Sequence, residues 1–408
     1  MTRSFLFLQG VCSPFFRVLG ERLSAQGHDV GKVNFNVGDF FAWRKSGAYS
    51  YRRTMGELPD FYKDTFNDRG ISDIVLFGDC RPVHAPAIAI ARAQGIRIHV
   101  FEEGYFRPYW ITLERDGVNA NSRLSKDPEW FRSAAKKVPK YGNGTPFNSK
   151  FWVRAAHDVA YNFWAGLNFI LHPGYESHVP YSPASEYLHY IARAARVKCR
   201  SEKDAATVTR VVSSADLNPY YLLPLQLGSD AQIRHHSAYE DVTDVLSSVV
   251  KSFAHHAPRN SRLVVKNHPL DPGFVDYLRI LSKVAEAHAV GGRVDYLESG
   301  HLPTLLSKTQ GVVTVNSTVG GSALVHNCPT IALGSAIYDL AGLTFQNGLD
   351  RFWTEAENPD RHLFECFRNI VIHTTQLNGG FYCRRGIEMA VENSCPRLTS
   401  EHSTFDGL

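Results

Sequence analysis

Apolar residues fall along the chain in short runs that end in polar clusters, and stretches of helical spacing separate the runs. Phe5 to Leu8 is such a run, closed by Gln9-Gly10. Phe16, Leu19 and Leu23 then recur at helical intervals up to Gly27, which predicts a helix and its stop. Val30 to Phe35, Asp73 to Phe77 and Ile96 to Phe101 read as further strands, with a helix over Pro86 to Gln94 stopped by Gly95. Two of these strands end in Gly78-Asp79 and in Glu102-Glu103-Gly104. Residues 40–70 are aromatic and charged and read as helical or irregular.

The same order resumes near residue 207. Tyr220 to Gln226 reads as a strand followed by Gly228-Ser229-Asp230, and Arg262 to Lys266 as one ending in Asn267-His268-Pro269. Helical periodicity covers Tyr239 to Ala254 and Asp276 to His288, and Val294 to Tyr296 is a short strand. Val312 to Val315 is β-branched and runs into Asn316-Ser317-Thr318; a short helix over Ser322 to His326 and a strand over Pro329 to Leu333 follow. Residues 359–392 read as helical. Alternating strands and helices predict an α/β chain of two halves with parallel sheets, joined directly, with a cleft between them.

Composition narrows the class. With 408 residues, 44% hydrophobic and 21% charged, the chain has ordinary globular composition. A net charge of +4 is too mild to indicate nucleic acid, and no nucleic-acid motif accompanies it. Seven cysteines without a CxxC pair or zinc spacing point to reduced thiols and a cytoplasmic protein. No apolar segment is long enough to span a bilayer. Residues 123–154 are locally basic: Arg123, Lys126, Arg132, Lys136, Lys137, Lys140, Lys150 and Arg154, with Trp130, Phe131, Phe147, Phe151 and Trp152 interleaved. That mixture suits an anionic membrane surface, although single aromatics of this kind also serve as core. A second basic run, Arg193, Arg196, Lys198 and Arg200, lies on a helical pattern.

Four polar clusters stand at predicted strand ends: Glu102-Glu103, Gln226 to Asp230, Lys266 to Pro269, and Asn316 to Thr318. Each also has an ordinary use as a cap, turn or solvated pair. Together they gain weight, because strand ends of an open parallel sheet border one crevice. Lys266, His268, Ser317 and Thr318 offer donors for one phosphate without a metal, and Asp230 and Glu103 offer two carboxylates. That is equipment for glycosyl transfer, one carboxylate as nucleophile and the other as acid or base. The chain has no GxxxxGK[ST], GxGxxG, GxSxG or HExxH, which disfavours P-loop, dinucleotide, serine-hydrolase and zincin chemistry.

At these residues the chain resembles the capsule polysaccharide biosynthesis and export family of the KpsS/LipB type, retaining β-Kdo transferases. The matching stretches are Leu8-Gln9-Gly10, Asn34-Phe35-Asn36 with Gly38-Asp39, Phe77 to Pro82, Glu102 to Pro108, Pro224-Leu225-Gln226 with Asp230, Asn267-His268-Pro269 and Asn316 to Gly320. The resemblance implies a GT-B-like fold of two Rossmann-like domains facing a central cleft. It places an acceptor-side domain at 1–210, including the membrane-facing segment 123–154. A CMP-sugar domain occupies 211–358, and C-terminal helices at 359–408 pack back onto the first domain. It implies transfer of Kdo from CMP-β-Kdo, with no cofactor or metal, to phosphatidylglycerol or lyso-phosphatidylglycerol. The protein would lie on the inner face of the inner membrane, with other capsule synthesis and export proteins as possible partners. Extension of an existing Kdo-lipid and non-catalytic export of the glycolipid are the alternatives. Carried onto this chain, Asp230 matches the nucleophile, Glu103 the acid/base with Glu102 as alternative, and His268 with Pro269 the HP motif at the CMP phosphate. Ser317 and Thr318 match the phosphate-binding hydroxyls, beside Lys266, Asn316 and Gln226; Arg81, Arg107 or Gly10 would meet the acceptor or the Kdo carboxylate.

Overall fold

The computed structural model describes residues 2–175, 183–228, 233 and 236–408. Two units divide the chain. One takes in Met1–Leu124, Lys136–His178 and Asn369–Leu408; the other takes in Ser125–Ala135 and Val179–Arg368. Both are α/β, so the two Rossmann-like units of a GT-B-like chain are present.

The first unit opens with β1 (Ser4–Phe7), α1 (Phe15–Ala25), β2 (Asp29–Asn34), α2 (Val37–Trp43), β3 (Ala48–Ser50) and α3 (Leu58–Asp68). It continues with β4 (Asp73–Phe77), α4 (Ala85–Ala93), β5 (Arg97–Glu103) and β6 (Trp110–Arg115). After α5 (Pro128–Ala134), which belongs to the second unit, come α6 (Phe151–Ala165) and α7 (Asn168–Leu171). The strands of β1 read as unbroken apolar sequence because both faces are covered. Phe5 and Phe7 meet Phe15, Leu19 and Leu23 of α1, while Leu6 meets Tyr62 and Phe66 of α3. Each of these fully buried side chains contributes about 1.5–3 kcal/mol of transfer free energy.

The second unit is built from α8 (Pro183–Ser213), β7 (Tyr220–Pro224), α9 (Val242–His256), β8 (Arg262–Lys266), α10 (Tyr277–Ala287) and β9 (Val294–Leu297). Then follow α11 (Leu302–Leu306), β10 (Gly311–Thr314), α12 (Thr318–Val325), β11 (Thr330–Ala332) and α13 (Leu349–Glu355). Its five strands are parallel, in the order β11-β10-β7-β8-β9. The chain leaves this unit through α14 (Arg361–Thr375) and ends in the first with β12 (Gln376–Asn378) and α15 (Arg384–Thr399). The first sheet runs β12-β6-β5-β4-β1-β2-β3, with β6 antiparallel to both its neighbours.

Three features depart from the sequence expectation. The units part at 178/179 and 368/369 rather than at 210 and 358. Helix α8 moves the first boundary, since Val208 and Val211 pack with Leu222, Val264 and Leu297 of the second sheet. The expected C-terminal helical stretch is broken by β12, which pairs with β6; neither strand, nor β3, is evident from local pattern. Finally, α12 starts at Thr318, four residues before the expected Ser322, because Ser317 caps it by accepting from the Val319 amide.

Candidate functional site

Each sheet reverses its strand order at one point, and open α/β sheets bind ligands beyond the carboxyl ends of strands there. In the second unit the reversal falls between β7 and β10. Gln226 and Asn316 stand at those two ends and bond reciprocally. The Gln226 amide donates to Asn316 Oδ1 at 2.9 Å, and the Asn316 backbone N–H donates to Gln226 Oε1 at 3.1 Å. This pair fixes the turn from which α12 departs. Ser317 and Thr318 follow, Ser317 as the cap and Thr318 exposed. Tyr338 donates to the Ser317 carbonyl at 2.6 Å, and a Cβ at Gly320 would sit 2.2 Å from that phenol oxygen, which explains the glycine of the NSTVG stretch.

On the other side of β7, β8 delivers Lys266-Asn267-His268-Pro269 to the same sheet edge. The Leu270 amide donates to His268 Nδ1 at 3.1 Å, so the ring proton of a neutral His268 sits on Nε2. Asn267 is interior, donating to Asp271 at 3.1 Å and Glu298 at 3.2 Å. Lys266 is buried as well: its ammonium donates to the Asn267 carbonyl, and burial with the Arg193 charge holds its pKa down.

The group that shapes this loop is Arg193 of α8, one of the second basic run on a helical pattern. It is buried and donates to the carbonyls of His268 at 2.8 Å, Pro269 at 3.1 Å and Asp271. Its Nε lies 3.5 Å from Glu298. Its signal in the sequence was an arginine at a helical position otherwise flanked by alanines. Asp230, expected in the loop after Gln226, lies outside the described residues.

In the first unit the reversal falls between β1 and β4. Arg81 spans it, donating to Gln9 Oε1 and to the Gly10 carbonyl, both at 3.1 Å, with its guanidinium over the Phe77 ring. Glu102 and Glu103 close β5, the next strand, and face opposite sides of the sheet because strand side chains alternate. Glu103 lies 3.4 Å from Arg154 of α6 and 3.9 Å from Arg107, and it accepts from Tyr382 at 3.5 Å. Arg154 also covers the Tyr382 ring. Arg107 is half exposed. Neither Arg154 nor Tyr382 was singled out from the sequence for chemistry. Gly104 permits the tight β5–β6 turn, where a Cβ would come within 2.0 Å of the Trp110 carbonyl oxygen.

Glu102 points to the other face. Its carboxylate accepts from the Glu103 amide at 2.9 Å, and burial raises its pKa to about 7. An acid whose folded pKa lies above its unfolded value stabilises below the unfolded pKa. That stabilisation is lost as pH rises through the folded one. Stability should therefore fall between about pH 4.5 and pH 7. Glu102→Gln, which keeps the acceptor oxygen, should be the more stable protein at pH 8 by about 1 kcal/mol, given the water that still reaches this group. Thermal melts of the two proteins at pH 5 and pH 8 check this; equal pH dependence removes Glu102 as the titrating group.

The segment 123–154 does not act as one surface. Phe131 is fully buried, Phe147 packs against Gly380 and Gly386, and Arg132 pairs with Glu129 and Asp360. Lys136, Lys137, Lys140, Lys150, Phe151 and Trp152 stay exposed. No helix among the described residues is long and apolar enough to cross a membrane. Among the same residues, no group of three or more His, Cys, Asp or Glu is placed to hold a metal ion.

Comparison with known proteins adds the family. The profile of the family described as capsule polysaccharide biosynthesis protein matches residues 72–382. The capsule polysaccharide export protein KpsS of Escherichia coli is 37% identical over 381 residues, covering 93% of this chain and 97% of that protein. The capsule polysaccharide modification protein LipB of Neisseria meningitidis serogroup A is 35% identical over 382 residues, covering 92% and 91%. Among solved structures, the KpsC β-Kdo 2,7 transferase of Thermosulfurimonas dismutans aligns over 96% of this chain and 98% of its own, with 15% identity and a TM-score of 0.47. The chain therefore belongs to the capsule polysaccharide biosynthesis protein family.

Proposed function

We propose that this protein is a retaining glycosyltransferase that moves Kdo from CMP-β-Kdo to a phosphatidylglycerol or lyso-phosphatidylglycerol lipid. Such a reaction would start the linker of a capsular glycolipid on the cytoplasmic face of the inner membrane. The observation that carries the reading is the second sheet's edge. There the Ser317 and Thr318 hydroxyls at the start of α12 and a His268 ring proton on Nε2 stand along one sheet edge beside a strand-order reversal. Such an edge suits the single phosphate of CMP, whose one negative group needs fewer counter-charges than a diphosphate.

In the proposed reaction Asp230 attacks the anomeric carbon, the bond to the CMP phosphate oxygen breaks, and a glycosyl ester forms. The acceptor hydroxyl then attacks that carbon, Asp230 leaves, and Glu103 takes the hydroxyl proton. His268 and the hydroxyls stabilise the departing phosphate. Arg107 is half exposed beside Glu103, while Arg81 is engaged with Gln9 and Gly10, and the proposed reaction leaves the Kdo carboxylate to either arginine or to Lys266.

Incubation with CMP-Kdo and a fluorescent phosphatidylglycerol tests the reading. Transfer to this lipid supports it. Transfer only to a Kdo-bearing acceptor assigns extension instead, and glycolipid binding without turnover assigns the export role in the name of the Escherichia coli relative. Within the same assay His268→Ala should weaken CMP binding by roughly 10–100-fold, the value of a hydrogen bond to a charged group. Calorimetry with CMP measures it, and an unchanged affinity takes His268 out of the phosphate site.

A further inference from the structure

The outward face of α6 and α7 is apolar and uncovered. Phe151, Trp152, Val159, Phe163, Phe169 and Ile170 are between 50% and 75% exposed or more, Trp152 reaching 77%. Residues 152, 156, 159 and 163 recur at helical intervals, so they form one stripe. The opposite stripe is pinned to the first unit. Trp164 stacks on Phe41 with centroids 3.7 Å apart, Tyr161 donates to Asp39 at 3.0 Å, and Arg154 meets Glu103. The exposed face is therefore held outward by the fold. Asp158 is the one acid among residues 151–171, against Lys150 at the start of α6 and Arg17 and Arg44 beside the helix.

We infer that this face docks on an anionic lipid bilayer, with α6 lying in the plane of the interface and the aromatic stripe entering the headgroup–acyl boundary. Aromatic and aliphatic groups on one stripe, with Lys150 at the start of α6 and Arg17 and Arg44 beside the helix, match that interface in both its apolar and its anionic character. At 15 residues α6 spans about 22 Å, enough to lie in a membrane surface and too short to cross one. Beside the stripe a cavity of about 220 Å³ is lined by Arg17, Arg44, His157, Phe41, Tyr161 and Trp164 among others, with no carboxylate in its wall. That lining suits the phosphate of a lipid headgroup seated next to the inserted stripe. The inference gives a structural site to the membrane placement proposed above, and it does not require the transferase chemistry.

Flotation with phosphatidylcholine vesicles, with and without 30 mol% phosphatidylglycerol (about a third anionic lipid), tests it. The full chain should float with the anionic vesicles and lose that binding as salt rises. Trp152→Glu/Phe163→Glu/Ile170→Glu should reduce vesicle affinity by at least about tenfold. Arg17→Gln/Arg44→Gln/Lys150→Gln should lower affinity and flatten the salt dependence while leaving the apolar stripe intact. Circular dichroism confirms that both variants fold, and transfer to a detergent-dispersed acceptor, read separately, shows whether the catalytic reading stands. Wild-type protein that stays unbound with anionic vesicles, or apolar variants that float equally, overturn the inference. A dimer in solution that the apolar variant dissolves also overturns it, by assigning the face to a second copy.

Discussion

Arg193→Met should lower the melting temperature by roughly 10 °C, the largest stability effect expected of a single substitution at the donor-side loop. The guanidinium is buried and holds three backbone carbonyls of the NHP loop while lying beside Asp271 and Glu298. Methionine fills the volume but leaves those groups without their cation. Removal of one partner from a buried charged cluster costs about 3–5 kcal/mol. The deficit should widen with rising pH. Burial already raises the Asp271 carboxyl, and without the guanidinium its ionised form becomes costlier still. Arg193→Lys restores charge but not the fork that reaches several carbonyls, so it should recover only part of the loss. Calorimetric melts of the three proteins at pH 5 and pH 8 measure this. A methionine variant that melts with the wild type would show that the loop holds its shape unaided. CMP affinity should fall with the loop's order, at a temperature where the variant is still folded.

Glu103→Gln should reduce kcat for lipid transfer by roughly 10²–10⁴-fold, the usual contribution of a positioned general base. CMP affinity should be unchanged, because Glu103 lies in the other unit. The neighbouring carboxylate supplies the control. Glu102 and Glu103 point to opposite faces of the sheet, so the two substitutions separate cleanly. Glu103 is favoured because Arg107, Arg154 and Tyr382 surround it while it remains open to solvent. Glu102 is committed to the Glu103 amide. Its pKa of about 7 would nevertheless suit a base, so a collapse of kcat in Glu102→Gln with Glu103→Gln active would reassign the role. If both variants keep wild-type turnover, neither glutamate takes the proton.

Local pattern carried the parallel strands apart from β3. Buried parallel strands are apolar on both faces, and the polar cluster ending each one marks where the chain leaves the core. Thus Gln9-Gly10, Gly78-Asp79, Glu102-Glu103, Gln226, Asn267-His268 and Asn316-Ser317 were legible as strand ends. Strand β12 was not, because Gln376-Leu377-Asn378 has no alternation of its own and becomes a strand through pairing with Trp110 to Thr112 of β6. The boundary at 210 went astray for a related reason. Helix α8 has one continuous amphipathic period, and nothing local says which sheet its apolar side covers.

The sequence by itself determined the α/β class, the two-unit plan and the polar strand ends, since these follow from short-range periodicity and turn chemistry. Tertiary structure decided the rest. It made Arg193 the clamp of the NHP loop and buried Lys266. It gave Glu103 its neighbours Arg154 and Tyr382, and it set α6 with Tyr161 and Trp164 inward and Phe163 outward. Each of these depends on partners far along the chain, and local spacing carries no information about which distant groups a side chain will meet.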